Sequence, residues 1–435
     1  MRTTLTPLLV AIVLIVAACS DAEPSATSSS VTTSSGPTTT MTDVEASTPS
    51  FLQFDGNRLI EGSGGELAPF VTGGRGVQTP EWVMAAANPA GFVVALTAAD
   101  GETRSFVVAP PEAAPFERLT LAAGGPPLLI NEGVVLVPPD DASPLTSPAT
   151  LSDGSLVWIT TDGDLSLDRS AGTTSFEVDA LRDSRVLVDD RDRVLILTGP
   201  TDSYGHGVLG DGIEASGWAI VDGGSTESVS LAGDDVIEGT SAIWVDIDGD
   251  GEREVIVTVS NSAVGAAVKA YSEDGQLRYS GPPIGQGNRW RHQIAFADFG
   301  AGRPQLAIVT TPHIGGIVEF YDINGDGTMS ADARKSEYTS HGIGSRNLDG
   351  GLAGDFDGDG ITELVVSTQD RMAMVGLINQ GGEILEAWRI DLESRRVANP
   401  TAAVAGTGEL VLIVVTEDSA IRTFWPESFA VNRDA

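Results

Sequence analysis

A short acidic loop followed directly by a run of β-branched residues recurs along the second half of the chain. The copies read "SAIWVDIDGDGEREVIVTV" from Ser241, "QIAFADFGAGRPQLAIVTT" from Gln293 and "GLAGDFDGDGITELVVSTQ" from Gly351, and a weaker copy, "AAVAGTGELVLIVVTED", starts at Ala402. A spacing of about 50 residues is typical of structural repeats that pack side by side. The chain is therefore predicted to build a series of similar small units.

Each unit adds alternating strands around tight turns. Phe92–Val108, Ser155–Leu167 and Ala373–Ile390 are predicted hairpins, because Asp-Gly or Gly-Gly turns separate their apolar segments. No convincing amphipathic helix follows residue 50, which indicates an all-β fold. Four strands in about 50 residues are typical of a propeller blade, so residues 51–435 are predicted to form a β-propeller of about seven four-stranded blades, with six or eight as alternatives.

The last unit ends near Trp425 without a final strand. We expect the segment Phe51–Glu61 to supply that strand, because joining the two ends of the chain in one blade closes the ring and removes an open sheet edge.

The amino terminus resembles a bacterial lipoprotein signal. Arg2 precedes the apolar run "LLVAIVLIVAAC", which is too short for an ordinary transmembrane helix, and Cys19 is the only cysteine. The ending "VAAC" resembles a lipobox, whose cysteine is lipidated after the signal is cut. We expect removal of residues 1–18, a flexible Ser/Thr-rich tether over residues 19–50, and a lipid-anchored protein at the bacterial cell membrane that faces outside the cytoplasm. A plain signal peptide is the alternative.

The charge balance restricts the partners. The chain has 61 acidic and 25 basic residues and a net charge of −36. Phosphate recognition requires clustered Lys and Arg, so nucleic acid is excluded as a partner, whereas cations are favoured.

Two copies of the acidic loop carry the spacing D-x-D-x-D-x-x-x-E. Alternate side chains of a tight loop converge on one point, and this number of hard oxygen ligands favours Ca²⁺ over Mg²⁺, with carbonyl groups completing each shell. The predicted ligands are Asp246, Asp248, Asp250, Glu252 (carbonyl) and Glu254 in one loop and Asp355, Asp357, Asp359, Ile361 (carbonyl) and Glu363 in the other.

These loops resemble the FG-GAP/VCBS repeat, the calcium-loop blade of the integrin α propeller, over about residues 239–416. The resemblance implies that each loop joins the two innermost strands of its blade. Solvated acidic turns without metal are the alternative.

Two further loops are less regular. The loop at Asp298 has Gly300 and Gly302 in place of acids, so we predict no metal there. Another loop, "YDINGDGTMSAD", resembles the start of an EF-hand, although its closing acid falls one place early and no helices flank it. This possible third calcium site would use Asp322, Asn324, Asp326 and Asp332.

The four histidines fall in loops that the propeller plan places on one face, opposite the calcium loops. Arginines near them suggest a concave pocket for an anionic or polyhydroxylated ligand. The alternatives are that these side chains only close loops by bonding carbonyl groups, or that histidines bind a transition metal. The predicted pocket residues are Tyr204, His206, Arg289, Arg291, His292, His313, His341, Arg346 and Asn347.

Three functions are compatible with these features. The first is a calcium-binding propeller that binds an extracellular carbohydrate or surface protein. The second is a lyase or hydrolase acting on acidic polysaccharide, with a histidine as base and an arginine neutralising a uronate. The third is a docking platform in an envelope complex. No Ser-His-Asp spacing, phosphate loop or nucleophile motif supports a named reaction, so we expect binding rather than catalysis.

Replacing the lipidation residue tests the anchor. Cys19→Ser should release the protein from the membrane fraction or leave it unprocessed, because the alkylated thiol is lost; fractionation followed by mass spectrometry measures both. A fully processed Cys19→Ser protein that stays in the membrane fraction would contradict the lipoprotein prediction.

Overall fold

The computed structural model describes residues 54–72, 79–88, 91–109, 112–121, 123–129, 134–404 and 408–426. The predicted signal peptide, Cys19 and the predicted tether lie outside these residues. In the described part, no helix is long and apolar enough to cross a bilayer.

The described residues form strands, turns and irregular loops, so the all-β prediction is confirmed. In chain order the strands are β1 (Leu59–Ser63), β2 (Leu67–Thr72), β3 (Pro80–Asn88), β4 (Gly91–Ala98), β5 (Glu102–Ala109), β6 (Glu112–Thr120), β7 (Leu128–Leu129), β8 (Val135–Leu136), β9 (Ala149–Thr150), β10 (Leu156–Ile159), β11 (Leu165–Arg169), β12 (Gly172–Phe176), β13 (Leu187–Val188), β14 (Val194–Thr201), β15 (Glu214–Asp222), β16 (Ser225–Ser230), β17 (Val236–Ile237), β18 (Ile243–Val245), β19 (Glu254–Ser260), β20 (Ala267–Ser272), β21 (Leu277–Ser280), β22 (Arg291–Ala297), β23 (Gln305–Thr310), β24 (Ile317–Ile323), β25 (Met329–Ser336), β26 (Tyr338–Thr339), β27 (Leu352–Asp355), β28 (Glu363–Thr368), β29 (Ala373–Gln380), β30 (Glu383–Asp391), β31 (Thr401–Val404), β32 (Leu410–Val415) and β33 (Ile421–Pro426).

Consecutive strands pair as antiparallel four-stranded units, the blades of a β-propeller. We name these units blade A (β3–β6), blade B (β9–β12), blade C (β13–β16), blade D (β18–β21), blade E (β22–β25), blade F (β27–β30) and blade G (β31–β33 with β2). Strand β17 pairs with both β15 and β19 and so links blades C and D, and β7 and β8 form a two-stranded sheet between blades A and B. The three hairpins predicted from the sequence are confirmed in blades A, B and F.

Neighbouring blades bury apolar faces against each other. Shared cores join blade A to G, G to F, F to E, E to D, D to C and C to B. A middle strand is covered on both faces, which explains why every residue of β19 is buried, whereas buried and more exposed residues are mixed along the outer strand β30.

Strand direction separates the turns into two groups. In an antiparallel blade, the turn between the first and second strands lies at the opposite end from the turn between the second and third strands. We call the end with the turns between first and second strands the acidic-loop face. The opposite end has the turns between second and third strands and the connections between blades, and we call it the connection face.

A segment before β2, residues 54–65, crosses the innermost strands of five blades; we call it the strap. It accepts hydrogen bonds from Val188 of blade C and Trp244 of blade D, at 3.0 and 2.7 Å, and exchanges bonds with Phe296 of blade E. Its β1 pairs in parallel with β27 of blade F, and Ser63 N donates to Gly408 O beside blade G at 3.4 Å. The strap therefore supplies partners to backbone groups at the inner edges of these blades.

The predicted role of the strap residues needs a correction. The segment Phe51–Glu61 does not form the outer strand of the last blade; its residues from 54 onwards belong to the strap. The outer strand is β2, which pairs antiparallel with β33. The two ends of the chain do share a blade. The amino-terminal strand of that blade, however, lies about ten residues later in the sequence than the predicted segment.

A buried ionic group fixes the middle of the strap. The Arg58 guanidinium pairs with the Asp349 carboxylate, and Arg185 reaches the same carboxylate at 3.4 Å while lying 4.8 Å from the Trp82 ring centre. The adjoining cavity of about 30 Å³ has room for a water molecule or two but not for a larger ligand.

A small substitution should test the strap. A Cβ atom on Gly64 would lie 1.8 Å from the Phe356 carbonyl oxygen, so Gly64→Ala should destabilise the protein by about 1–3 kcal/mol. Gly224→Ala, where a Cβ meets no atom within 4 Å, is the matched control and should leave the melting temperature unchanged. Equal melting temperatures for the two variants would contradict this packing.

Candidate functional sites

The acidic loop of blade F gathers four carboxylates between β27 and β28. One oxygen of each lies within 4.8 Å of the others. Backbone amides orient the group: Gly358 N donates to Asp355 at 2.8 Å, and Phe356 N donates to Glu363 at 2.7 Å. The four residues are Asp355, Asp357, Asp359 and Glu363.

Glu363 is the clearest sign that this loop fits a cation. Its side chain is fully buried, and its Oε1 has no hydrogen-bond partner of good geometry. Burial, followed by the neighbouring charge of Asp357, raises the pKa of Glu363 to about 8. A buried carboxylate oxygen without a donor is costly, and a bound Ca²⁺ would satisfy it.

The loop of blade D, between β18 and β19, gathers fewer groups. Asp246, Asp248 and Glu254 lie together, while Asp250 does not join them. Arg278 pairs with Asp248 at 3.2 Å and approaches Asp250 at 3.9 Å. An ion here would compete with this guanidinium for Asp248. The carbonyl groups of Glu252 and Ile361 remain predicted ligands.

The two irregular loops have internal partners. Asp298 accepts hydrogen bonds from Gly300 N and Gly302 N, both at 3.0 Å. Asp322 pairs with Arg303 at 2.6 Å, and the same guanidinium reaches Asp332 at 3.1 Å.

The remaining two side chains of the EF-hand-like loop are engaged within their own turn. Asp326 accepts from Thr328 N, and Asn324 donates to the Thr328 and Ser330 hydroxyls. These contacts satisfy the loop without an ion, so a third calcium site forms no part of our proposal.

The histidines do lie near one another, as the propeller plan predicts. Ring centres of His292 and His341 are 6.5 Å apart, and those of His313 and His341 are 6.2 Å apart. His206 is close enough to His313 to lower the pKa of that ring, after the larger effect of burial. Trp290 stacks on His292 at 4.9 Å.

The rings of His292 and His341 are buried and neutral rather than open to solvent. Burial lowers the pKa of His341 to about 4 and holds the pKa of His292 well below its ordinary value. His341 donates from Nε2 to the Ser345 carbonyl at 2.8 Å, which leaves Nδ1 as an acceptor without a partner. His292 and Arg291 lie inside β22, not in the loop before it, and both are buried.

The arginines predicted to form a cationic pocket already have partners. Arg291 contacts Glu319 and the Tyr321 hydroxyl, and Arg346 contacts Asp183 and Asp211. At these two positions the guanidinium groups are neutralised by acids, so Arg291 and Arg346 provide no excess of positive charge.

The other predicted pocket residues have mainly structural contacts. Arg289 donates to loop carbonyl groups, and Asn347 donates to the Glu81 carbonyl and to Asn399 at 3.0 Å. Tyr204 is buried beside His206, whose imidazole contacts the buried Glu238 carboxylate.

A different cleft on the connection face is open and larger, with a volume of about 430 Å³. It lies among the loop before blade A, the connections on both sides of blade F and the β28–β29 turn. Two of the predicted pocket residues, His341 and Asn347, line it, and its charged groups are Arg371, Arg396 and Glu81. Sequence reasoning missed both arginines, since "TQDRMA" and "ESRRVA" read as ordinary turns.

Exposed apolar side chains accumulate on the same face. Among the described residues, eight large apolar side chains are exposed, and five of them occupy turns or connections of this face in blades C to F. Leu277, at the β20–β21 turn, lies on the acidic-loop side. The five are Ile213, Val264, Ile314, Ile343 and Met372, with exposed fractions between 37% and 73%.

No protein-family model and no curated protein matches the chain. Among solved structures, the chain is similar to the crystal structure of BBS1N in complex with ARL6DN, at 10% identity and a TM-score of 0.46, over 84% of this chain and 98% of that chain. It is also similar to BamB from Moraxella catarrhalis, at 13% identity and a TM-score of 0.38, over 79% and 86%. At this level of similarity, neither comparison bears on function.

Removal of divalent metal tests the acidic loops. Chelation should lower the melting temperature, because a ligand that binds only the folded state adds about 2.7 kcal/mol at roughly 100 times its Kd. Asp357→Ala should abolish most of this difference, whereas Asp298→Ala should retain it. A melting temperature that chelation leaves unchanged would contradict structural calcium.

A second prediction concerns Glu214, which is buried near His206. Burial, followed by the charge of Glu238, raises the pKa of Glu214 to about 9 from 4.5. Between these values the folded protein retains a proton that the unfolded chain releases, so stability should fall as pH rises, by up to about 1.4 kcal/mol per pH unit. Denaturant titrations at several pH values should show that the unfolding free energy depends more steeply on pH in the wild type than in Glu214→Gln. An equal pH dependence in the two proteins would contradict the raised pKa of Glu214.

Proposed function

We propose that this protein is a lipid-anchored, extracytoplasmic, calcium-stabilised β-propeller that binds a surface protein through its connection face. The observation that carries this proposal is the concentration of exposed apolar side chains on that face. Single exposed apolar residues are ordinary, but their accumulation on one side of a fold is typical of a surface that another protein covers.

Protein is favoured over carbohydrate by the composition of the face. Ile, Val and Met side chains at loop tips bury well against a protein surface, and Met and Arg are enriched in protein interfaces. Of the groups that line the cleft, only His341 has an aromatic ring, so an aromatic platform for a sugar is missing from the described lining. The cavity beside Arg58 and Asp349 is too small for a substrate, so this cavity gives the enzymatic alternative no support.

The acidic-loop face would serve the scaffold. Calcium at Asp355, Asp357, Asp359 and Glu363 would neutralise a concentrated negative charge and fix the β27–β28 turn, against which the strap packs through Ser63. Lipidation of Cys19 would hold the propeller at the membrane surface, within reach of other envelope proteins.

Site-specific photo-crosslinking tests the docking face. A photoreactive amino acid at position 314 or 343 should form a covalent adduct of one defined mass in intact cells, because both side chains project from the connection face. The same amino acid at position 277 is the matched control, since Leu277 is exposed and apolar but lies on the other side. Absence of an adduct at 314 and 343, or equal yields at 277, would contradict the proposal.

A further inference from the structure

The cleft of about 430 Å³ on the connection face contains two arginines that no carboxylate neutralises among the described residues. Arg371 makes no side-chain hydrogen bond or ion pair there. Arg396 is almost fully buried, and its partners are the Ser367 hydroxyl at 2.9 Å and the Ala398 carbonyl. In a chain with a net charge of −36, two such arginines side by side are a local reversal of sign.

The backbone joins the two arginine residues directly. Arg396 N donates to the Arg371 carbonyl oxygen at 3.0 Å. Burial, followed by the charge of Arg371, lowers the pKa of Arg396 to about 9, so the pair lacks an anion that would offset their repulsion. A buried cation without a counter-ion is costly, and a bound anion would remove that cost.

The backbone at Arg371 is also unfavourable. Arg371 has a φ of 61°, in the left-handed region, at the β28–β29 turn. Glycine or asparagine would adopt this conformation at lower cost, by about 1 kcal/mol. Strain of this kind is often retained where the side chain has a role in binding.

We propose that this cleft receives a carboxylate side chain of the docked protein, which Arg371 binds directly while Arg396 lies behind it. This inference rests on the proposed function and adds the chemistry of the partner: an acidic residue next to an apolar one. The planar guanidinium forms paired hydrogen bonds with a carboxylate, and Ile343 at the cleft edge, exposed by 72%, would cover an apolar neighbour.

The charge of the cleft favours one carboxylate over an extended polyanion. Two arginines and Glu81 give the lining a net charge near +1 with His341 neutral. Beyond the cleft the strongly acidic chain would repel further negative charge. A single acidic side chain, presented by a surface that is otherwise neutral or basic, fits this field.

Histidine NMR provides a direct test with a small probe. The chain has four histidines, and His341 lines the cleft, so a protein labelled at histidine gives few signals with a reporter among them. The probe is N-acetyl-Leu-Glu-amide, and N-acetyl-Leu-Gln-amide is its neutral control. We expect a saturable shift of the His341 signal with the Glu probe only. No shift, equal shifts for both probes, or a shift with glucuronate and none with the Glu probe would overturn the proposal.

Variants of Arg371 separate binding from stability. Arg371→Gln should raise the Kd of the Glu probe at least about tenfold, because the variant loses one charge-assisted hydrogen bond to the carboxylate. Arg371→Gly should weaken binding similarly while keeping or raising the melting temperature, because it relieves the left-handed backbone. Arg118→Gln is the matched control: Arg118, on the outer strand of blade A, is 69% exposed and pairs with Glu102. Unchanged probe binding in Arg371→Gln, or a lower melting temperature in Arg371→Gly, would contradict the assigned role.

Position 314 lies away from the cleft. Its crosslinking yield therefore distinguishes the proposal that a protein docks on the connection face from the proposal that the cleft binds a carboxylate of that protein. Arg371→Glu should reduce this adduct at least about tenfold, because it places like charge opposite the carboxylate. An undiminished adduct in Arg371→Glu would refute the carboxylate while leaving the docking face intact. Absence of the adduct in wild type, despite binding of the Glu probe, would instead refute docking through this face.

Discussion

Backbone hydrogen bonding at the inner edges of the blades is the constraint on which the architecture depends. The innermost strand of a blade has a partner on one side only, and its other edge exposes amide and carbonyl groups. The strap reaches blades C to G in turn and provides partners at Val188, Trp244 and Phe296 before it pairs with β27. The cost of leaving these groups unpaired explains why an otherwise irregular segment follows one defined path.

The direction of the strands then assigns two kinds of chemistry to two faces. The acidic loops stand where first strands turn into second strands, and they concentrate oxygen ligands there. The connection face has the longer segments between blades, and in it acids such as Asp183 and Asp349 pair with arginines. Arg371 and Arg396 have no acidic partner among the described residues, in contrast to Arg58, Arg185 and Arg346.

The sequence predicted the features that depend on local spacing. The alternation of loop acids identified the group at Asp355, and strand direction placed His341 opposite it. Features that depend on distant pairing could not be predicted: nothing near Arg346 in the sequence indicates Asp183 as its partner. The same limit applies to Arg371, whose distinguishing property is the absence of an acidic partner in the described fold. The last-blade strand was misplaced because both Phe51–Glu61 and β2 contain apolar residues, and only the path of the strap distinguishes them.

The position of the strap has a mechanical consequence. Whatever holds the chain at its amino-terminal end transmits force to residue 54, which lies against blade C, and not to a loose strand at the rim. That force acts along a series of short hydrogen bonds across several blades before it reaches β2 of blade G. A pull on the chain before residue 54 would therefore load several blades through many contacts at once, and peeling off β2 of blade G would require the strap to detach first.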